Sequence, residues 1–134
     1  NKMYYINHYL PIELTKKISK DFLNIIKFIY ISSIAAVRLR PKNPIYGRSK
    51  QKLELSVKKL LNINSFLIIR FGKVFTKMSI GHKTPPFAMS SEIAAQKIFL
   101  KVKKNGIRYP NFGLLIISIV LKILPNFVIR IAKY

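Results

Sequence analysis

The sequence predicts an α/β fold built on a parallel sheet, on three observations. Short apolar, β-branched runs alternate with stretches whose apolar residues return at helical spacing. Loops marked by Pro and Gly separate them. The chain has 134 residues, half of them hydrophobic, which is enough for one domain with a real core. The expected order is helix, strand, helix, strand, loop, helix, strand, helix, with right-handed crossovers between the strands.

Each element has a local reason. Residues 8–23 repeat apolar side chains at Ile12, Leu14, Ile18 and Phe22 between lysines, the pattern of an amphipathic helix. "IIKFIYISSIAA" has no polar helical face and reads as a buried strand over about residues 26–32, ending in serines. "VRLRPKNP" is a loop, because Pro44 biases Asn43 away from helix. From Tyr46 to Leu61 the positions Leu53, Val57, Leu60 and Leu61 restore helical spacing.

"SFLIIRFGKVF" is a second buried strand, and Gly72 near its end marks a turn or a close approach. "TKMSIGHKTPPFAMS", with Gly81 and Pro85-Pro86, is an irregular excursion of the kind that covers a site. Ser90 or Ser91 can cap the next helix, with Glu92 in its first turn and "KVKKNG" closing it. "IRYP" is a short strand. The tail, residues 113–134, is very apolar but carries Lys122, Asn126 and Arg130 and is broken by Pro125. It suits packing onto the body, the preferred reading, or lying in a membrane interface, and not spanning. The expected division is therefore residues 1–112 as one unit and 113–134 as a tail.

Lys and Arg number 25 against 4 acidic residues, Glu13, Asp21, Glu54 and Glu92, for a formal net charge of +21. Such a chain favours an anionic partner: nucleic acid, anionic lipid, a phosphorylated substrate or an acidic protein segment. Lysine filling solvated positions is the competing explanation. With no cysteine, disulfides, thiolate metal sites and cysteine nucleophiles are excluded. His8 and His82 lie far apart without a metal-ligand spacing and read as ordinary polar histidines. No signal-peptide pattern opens the chain, and its start at Asn1 suggests a piece of something longer.

"NPIYGRSK" places Tyr46 and Lys50 four residues apart at a helix start, so both project from one face. An ammonium beside a phenol favours the phenolate, and the pair is expected to lower the Tyr46 pKa into a useful range. Taken alone the spacing is weak, since Tyr and Lys fall four apart by chance in a basic chain. Ser33 strengthens it, because it lies thirteen residues earlier at a strand end, where open parallel sheets place their sites.

With these residues the sequence resembles the short-chain dehydrogenase/reductase family. That family carries a serine at a strand end, a YxxxK pair about thirteen residues later and an asparagine in the preceding helix, for which "YINHYLPIEL" offers Asn7. Past the next strand it reads Pro-Gly, then Thr four residues beyond the Gly. "RFGKVFTKM" keeps Gly72 and Thr76 but has Phe71 for the proline. "IYGRSKQKLE", "IIRFGKVFTKMS", "TPPFAMSSEIAA" and the tail are similar to a branch of reductases resembling decaprenylphosphoryl-2-keto-ribose reductase.

The resemblance implies the C-terminal half of a Rossmann-like parallel sheet flanked by helices, with the N-terminal dinucleotide-binding strands missing. No G-x-G-x-x-G or looser glycine triplet occurs in the chain. It implies an NAD(P)-dependent oxidoreductase, a carbonyl or keto-sugar reductase acting on a small, lipid-linked or nucleotide-linked sugar, inactive as this fragment alone, with NADP favoured over NAD and the cofactor requiring the missing half. Tyr46 is the implied proton donor, Lys50 its tuner and the holder of the nicotinamide ribose, Ser33 the partner of the carbonyl oxygen, and Asn7 the holder of a water. Gly72, Val74 and Thr76 are implied at the nicotinamide amide, and "KMSIGHKTPPFAM" over the substrate. The implied setting is cytoplasmic, with a homo-oligomer or a partner oxidase and membrane-surface contact through residues 113–134. A basic RNA-binding or peripheral membrane module without catalysis is the alternative. It accounts for the charge directly, but it leaves the four polar spacings as coincidence and has no RNA-binding motif to support it.

Overall fold

A computed structural model describes residues 1–22, 27–41, 43–76 and 84–125. Several expectations lie outside these residues: the start of the first strand at Ile26, His82, Gly81 and the first half of the covering loop, and the end of the tail with Asn126 and Arg130.

The chain opens as one helical run. α1 (Lys2–Tyr4), capped by the Asn1 side chain, passes into a π-helical segment, Tyr5–Tyr9, and then into α2 (Leu10–Phe22). The helix expected from residue 8 thus begins six residues earlier. β1 (Phe28–Ser33) follows and ends in a 3₁₀ turn, Ile34–Ala36. α3 (Pro44–Leu60) starts with Asn43 as its N-cap and Pro44 in its first turn, where the missing N–H of proline costs nothing. β2 (Phe66–Phe71), α4 (Ser91–Phe99), β3 (Gly106–Arg108) and α5 (Phe112–Ile123) complete the order. The second strand is shorter than expected: past Phe71, only Val74 pairs again, in an isolated bridge with Met89.

The three strands form one parallel sheet in the order β1-β2-β3, with Ser33 opposite Phe71 and Ile68 opposite Ile107. This is an α/β arrangement with an open parallel sheet flanked by helices. Side-chain alternation divides the core in two. Tyr30, Phe66 and Ile68 face one side and pack with Ile12 of α2 and Leu53 and Val57 of α3. Leu67, Ile69 and Phe71 face the other and pack with Ala94 of α4 and Leu114 of α5.

That division corrects the expected crossovers. Both connections step across the sheet in the same direction, yet α3 and α4 lie on opposite faces, so the two have opposite hands. Only one can be right-handed.

Two apolar assignments are also corrected. Leu60 is exposed, because Leu61 takes the core position at the helix end. In α2 only Ile12 of the expected stripe is buried; Leu14, Ile18 and Phe22 point outward, while Thr15 turns inward to Tyr30 at 2.6 Å.

Candidate active site

Ser33 is placed by the end of β1. Its hydroxyl accepts from the Ala35 N–H at 3.2 Å, capping the 3₁₀ turn and fixing the side chain at the C-terminal edge of the sheet. Tyr46 sits in the first turn of α3, where its N–H donates to Asn43 Oδ1 at 3.3 Å. Gly47 lets this turn close on the strand end: a Cβ there would come within 2.8 Å of the Ala35 carbonyl oxygen. A glycine at this position is what brings Tyr46 beside Ser33.

The Ser33 hydroxyl lies on the phenol's side of the turn and favours its ionised form. Burial pushes the Tyr46 pKa up from its ordinary value, while Ser33 and the Arg40 charge pull it down without offsetting the burial. The net direction corrects the expectation that Lys50 depresses it. Lys50 Nζ lies 5.9 Å from the centre of the Tyr46 ring and donates to the Ile31 carbonyl at 2.9 Å. Its charge is therefore directed at the β1 backbone, two residues before Ser33. Burial lowers the Lys50 pKa, and Glu54, one turn further along α3, works against that shift.

Asn7 lies within the π-helical segment, next to His8, whose Nε2 meets Ser56 Oγ of α3 at 2.9 Å. π-turns inside helices are frequent at functional sites. Among the described contacts, no side-chain hydrogen bond joins Asn7 to Ser33, Tyr46 or Lys50. The sequence thus gathers three of its four polar positions directly, and the fourth on the helix that packs against α3.

Gly72 follows β2 and lies against α5, where an added Cβ would be 3.0 Å from Leu114 Cδ2. Beyond it, Met89 N–H donates to the Lys73 carbonyl at 3.1 Å and Phe75 N–H donates to the Met89 carbonyl at 2.9 Å. These bonds use the groups flanking Val74, so the Val74 N–H and C=O point to the other side. Phe71, in place of proline, is buried as part of the second core cluster. Thr76 is exposed beside this edge.

Sequence reasoning missed a buried ionic knot beneath the pair. Glu54 accepts from Ser32 Oγ at 2.6 Å, from Arg70 Nε at 2.9 Å and from Arg70 Nη2 at 2.5 Å. Arg70 Nη1 donates to the Tyr109 hydroxyl at 2.8 Å, and Tyr109 meets Ser118 of α5 at 2.5 Å. Burial acts to lower the Arg70 pKa, but bonding to Glu54 and Tyr109 outweighs it and raises the value. The signal was present: Glu54 continues the Tyr46 and Lys50 face, and Arg70 interrupts an apolar strand. A concavity of about 460 Å³ lies elsewhere, lined by Tyr4, Tyr5, Tyr9, Ile45 and Arg48, and contains none of the candidate site residues.

No family model, curated protein or solved structure matches the chain.

Proposed function

We propose that the chain is the catalytic half of an NAD(P)-dependent carbonyl reductase of the short-chain dehydrogenase type. The observation that carries this reading is the convergence of Ser33, Tyr46 and Lys50 at the C-terminal edge of a parallel sheet, with Lys50 Nζ 5.9 Å from the centre of the Tyr46 ring. Open α/β sheets bind ligands at that edge.

The residues fit one end of the dinucleotide. Tyr46 and Lys50 would hold the ribose, while Gly72, Thr76 and the Val74 backbone groups that point away from Met89 would hold the carboxamide. The five glycines of the chain have no G-x-G-x-x-G spacing, so on this reading the pyrophosphate needs residues from outside it. β1 is consistent with that need. It is an edge strand, and its Ile29 and Ile31 side chains, facing the α4 and α5 side, are 38% and 46% exposed. An unpaired edge with an uncovered apolar face suits added parallel strands.

The nicotinamide, when bound, supplies hydride to the carbonyl carbon of the substrate. Ser33 holds the carbonyl oxygen, and Tyr46, kept protonated by burial, donates its proton to the oxygen as negative charge develops there. Lys50, held by the Ile31 carbonyl with its Nζ 5.9 Å from the centre of the Tyr46 ring, serves to hold the ribose. Asn7 orients a water that returns the proton. The substrate class is a keto-sugar, free or lipid-linked, and NADP is favoured over NAD. The outward Leu14, Ile18 and Phe22 of α2 suit a second copy or a partner oxidase.

The test is NADPH oxidation by the protein supplied with dinucleotide-binding strands, with and without Tyr46→Phe. Turnover is expected to fall about 10²–10⁴-fold, with NADPH affinity preserved. Undiminished turnover overturns the assignment. The chain by itself is expected to show no micromolar affinity for NADH or NADPH in calorimetry.

A further inference from the structure

α5 lies across the C-terminal ends of the strands. It begins just past β3, packs Leu114 against Gly72 at the end of β2, and ends where Arg38, beyond β1, donates to the Leu121 and Leu124 carbonyls. An arginine on the last carbonyls satisfies the helix C-terminus and complements its dipole. Leu114, Ser118 and Leu121 are buried, so the helix is fixed on its inner side.

Its outer side is apolar. Phe112 is 74% exposed and Ile123 76%, with Ile116, Ile119 and Val120 exposed between them. A surface helix of a globular protein places its polar residues outward; here the one serine, Ser118, is turned inward, and Lys122 is the only charged side chain of the helix. Phe87 extends this surface. Its φ of 62° is uncommon for a bulky residue, and its ring takes the space a side chain at Gly113 would occupy, leaving the residue 46% exposed.

Two observations select the occupant. The chain carries a formal net charge of +21, so a second copy would be repelled and an anionic surface attracted. No helix among the described residues is long and apolar enough to cross a membrane. A short helix, apolar outside with Lys122 in its last turn, on a chain of high positive charge, suits the plane of an anionic bilayer surface.

We propose that α5 is a membrane-docking helix that lies on an anionic lipid surface, burying Phe112, Ile116, Ile119 and Ile123 and setting the strand-end edge beside the headgroups. The inference is independent of the reductase reading, because it uses none of the catalytic residues. The chain contains no tryptophan, so one introduced tryptophan is a unique reporter.

The experiment uses the full chain with vesicles of equal parts phosphatidylglycerol and phosphatidylcholine. Ile119→Trp should show a blue shift in emission on mixing and quenching by brominated acyl chains. Leu55→Trp, at an exposed position of α3, should show neither. Ile116→Asn with Ile123→Asn should reduce vesicle partitioning more than about tenfold while leaving circular dichroism and melting unchanged. Flotation without a shift at position 119 means attraction by charge alone and overturns the proposal. So does an equal shift at position 55, or a dimer that forms through α5 without vesicle binding.

Discussion

β1 and β2 are neighbours of the same length in one sheet, yet their surroundings differ. Every residue of β2 is buried, with helices on both faces and a strand on either side. Among the described residues β1 is covered by α2 and α3 on one face; Ile29 and Ile31 on its other face are exposed, and no described strand pairs its outer edge. An identical isoleucine therefore carries different energetic weight in the two strands. The sheet is complete at β2 and open at β1, and the candidate site sits at the end of the open strand.

The largest expected effect tests the closed region. Glu54→Ala leaves Arg70 buried without its carboxylate and should cost about 3–5 kcal/mol in denaturant unfolding. A loss below about 1 kcal/mol would mean that the Glu54–Arg70 pair is solvated. Next comes the direct comparison of strands. Ile69→Ala should cost about 2–5 kcal/mol, because it empties a fully buried position of the second cluster. Ile31→Ala should cost less than about 1 kcal/mol until the open face is covered. Equal losses would show that β1 is already enclosed.

The smallest effect concerns His8. Burial, aided by the Lys52 charge, lowers its pKa below the ordinary value of 6.5, and its buried Nδ1 has no partner. The folded state therefore binds fewer protons than the unfolded one. Stability from this group is full above about pH 6.5 and is lost as pH falls through the lower folded value. His8→Gln should flatten that part of the stability curve; a slope that persists would assign the protons to another group.

Much of this architecture is legible in the sequence, for physical reasons that can be traced. β2 is readable because a strand buried on both faces must be apolar throughout, and "FLIIRF" is apolar but for Arg70. α3 begins two residues ahead of the expected Tyr46, because Asn43 caps it and Pro44, in its first turn, needs no N–H partner. The stripe of α2 misleads because periodicity identifies an apolar face without saying what covers it. Leu14, Ile18 and Phe22 face outward, and the polar Thr15 is accepted inside by the Tyr30 hydroxyl.

At the site, Ser33, Tyr46 and Lys50 were legible through spacing along a strand, a turn and a helix. The direction of the Tyr46 pKa was not, because burial and the bond from Lys50 to the Ile31 carbonyl depend on the folded environment. Nor was the Glu54–Arg70 pair, whose partners lie on different elements and meet only when α3 packs on β2.

The most direct test of the site is the alkaline limb of carbonyl reduction in the protein completed with dinucleotide-binding strands, compared between the native residue and Ser33→Ala. Under the proposed mechanism reduction requires a protonated Tyr46, so activity would decline as pH rises through the Tyr46 pKa, which burial raises. Ser33 pulls that pKa down; its removal should lower turnover and move the Tyr46 limb to higher pH, whereas a limb set by Lys50 would stay in place. An upward displacement is the predicted result, and an unmoved limb with unchanged turnover would contradict the Ser33–Tyr46 acid.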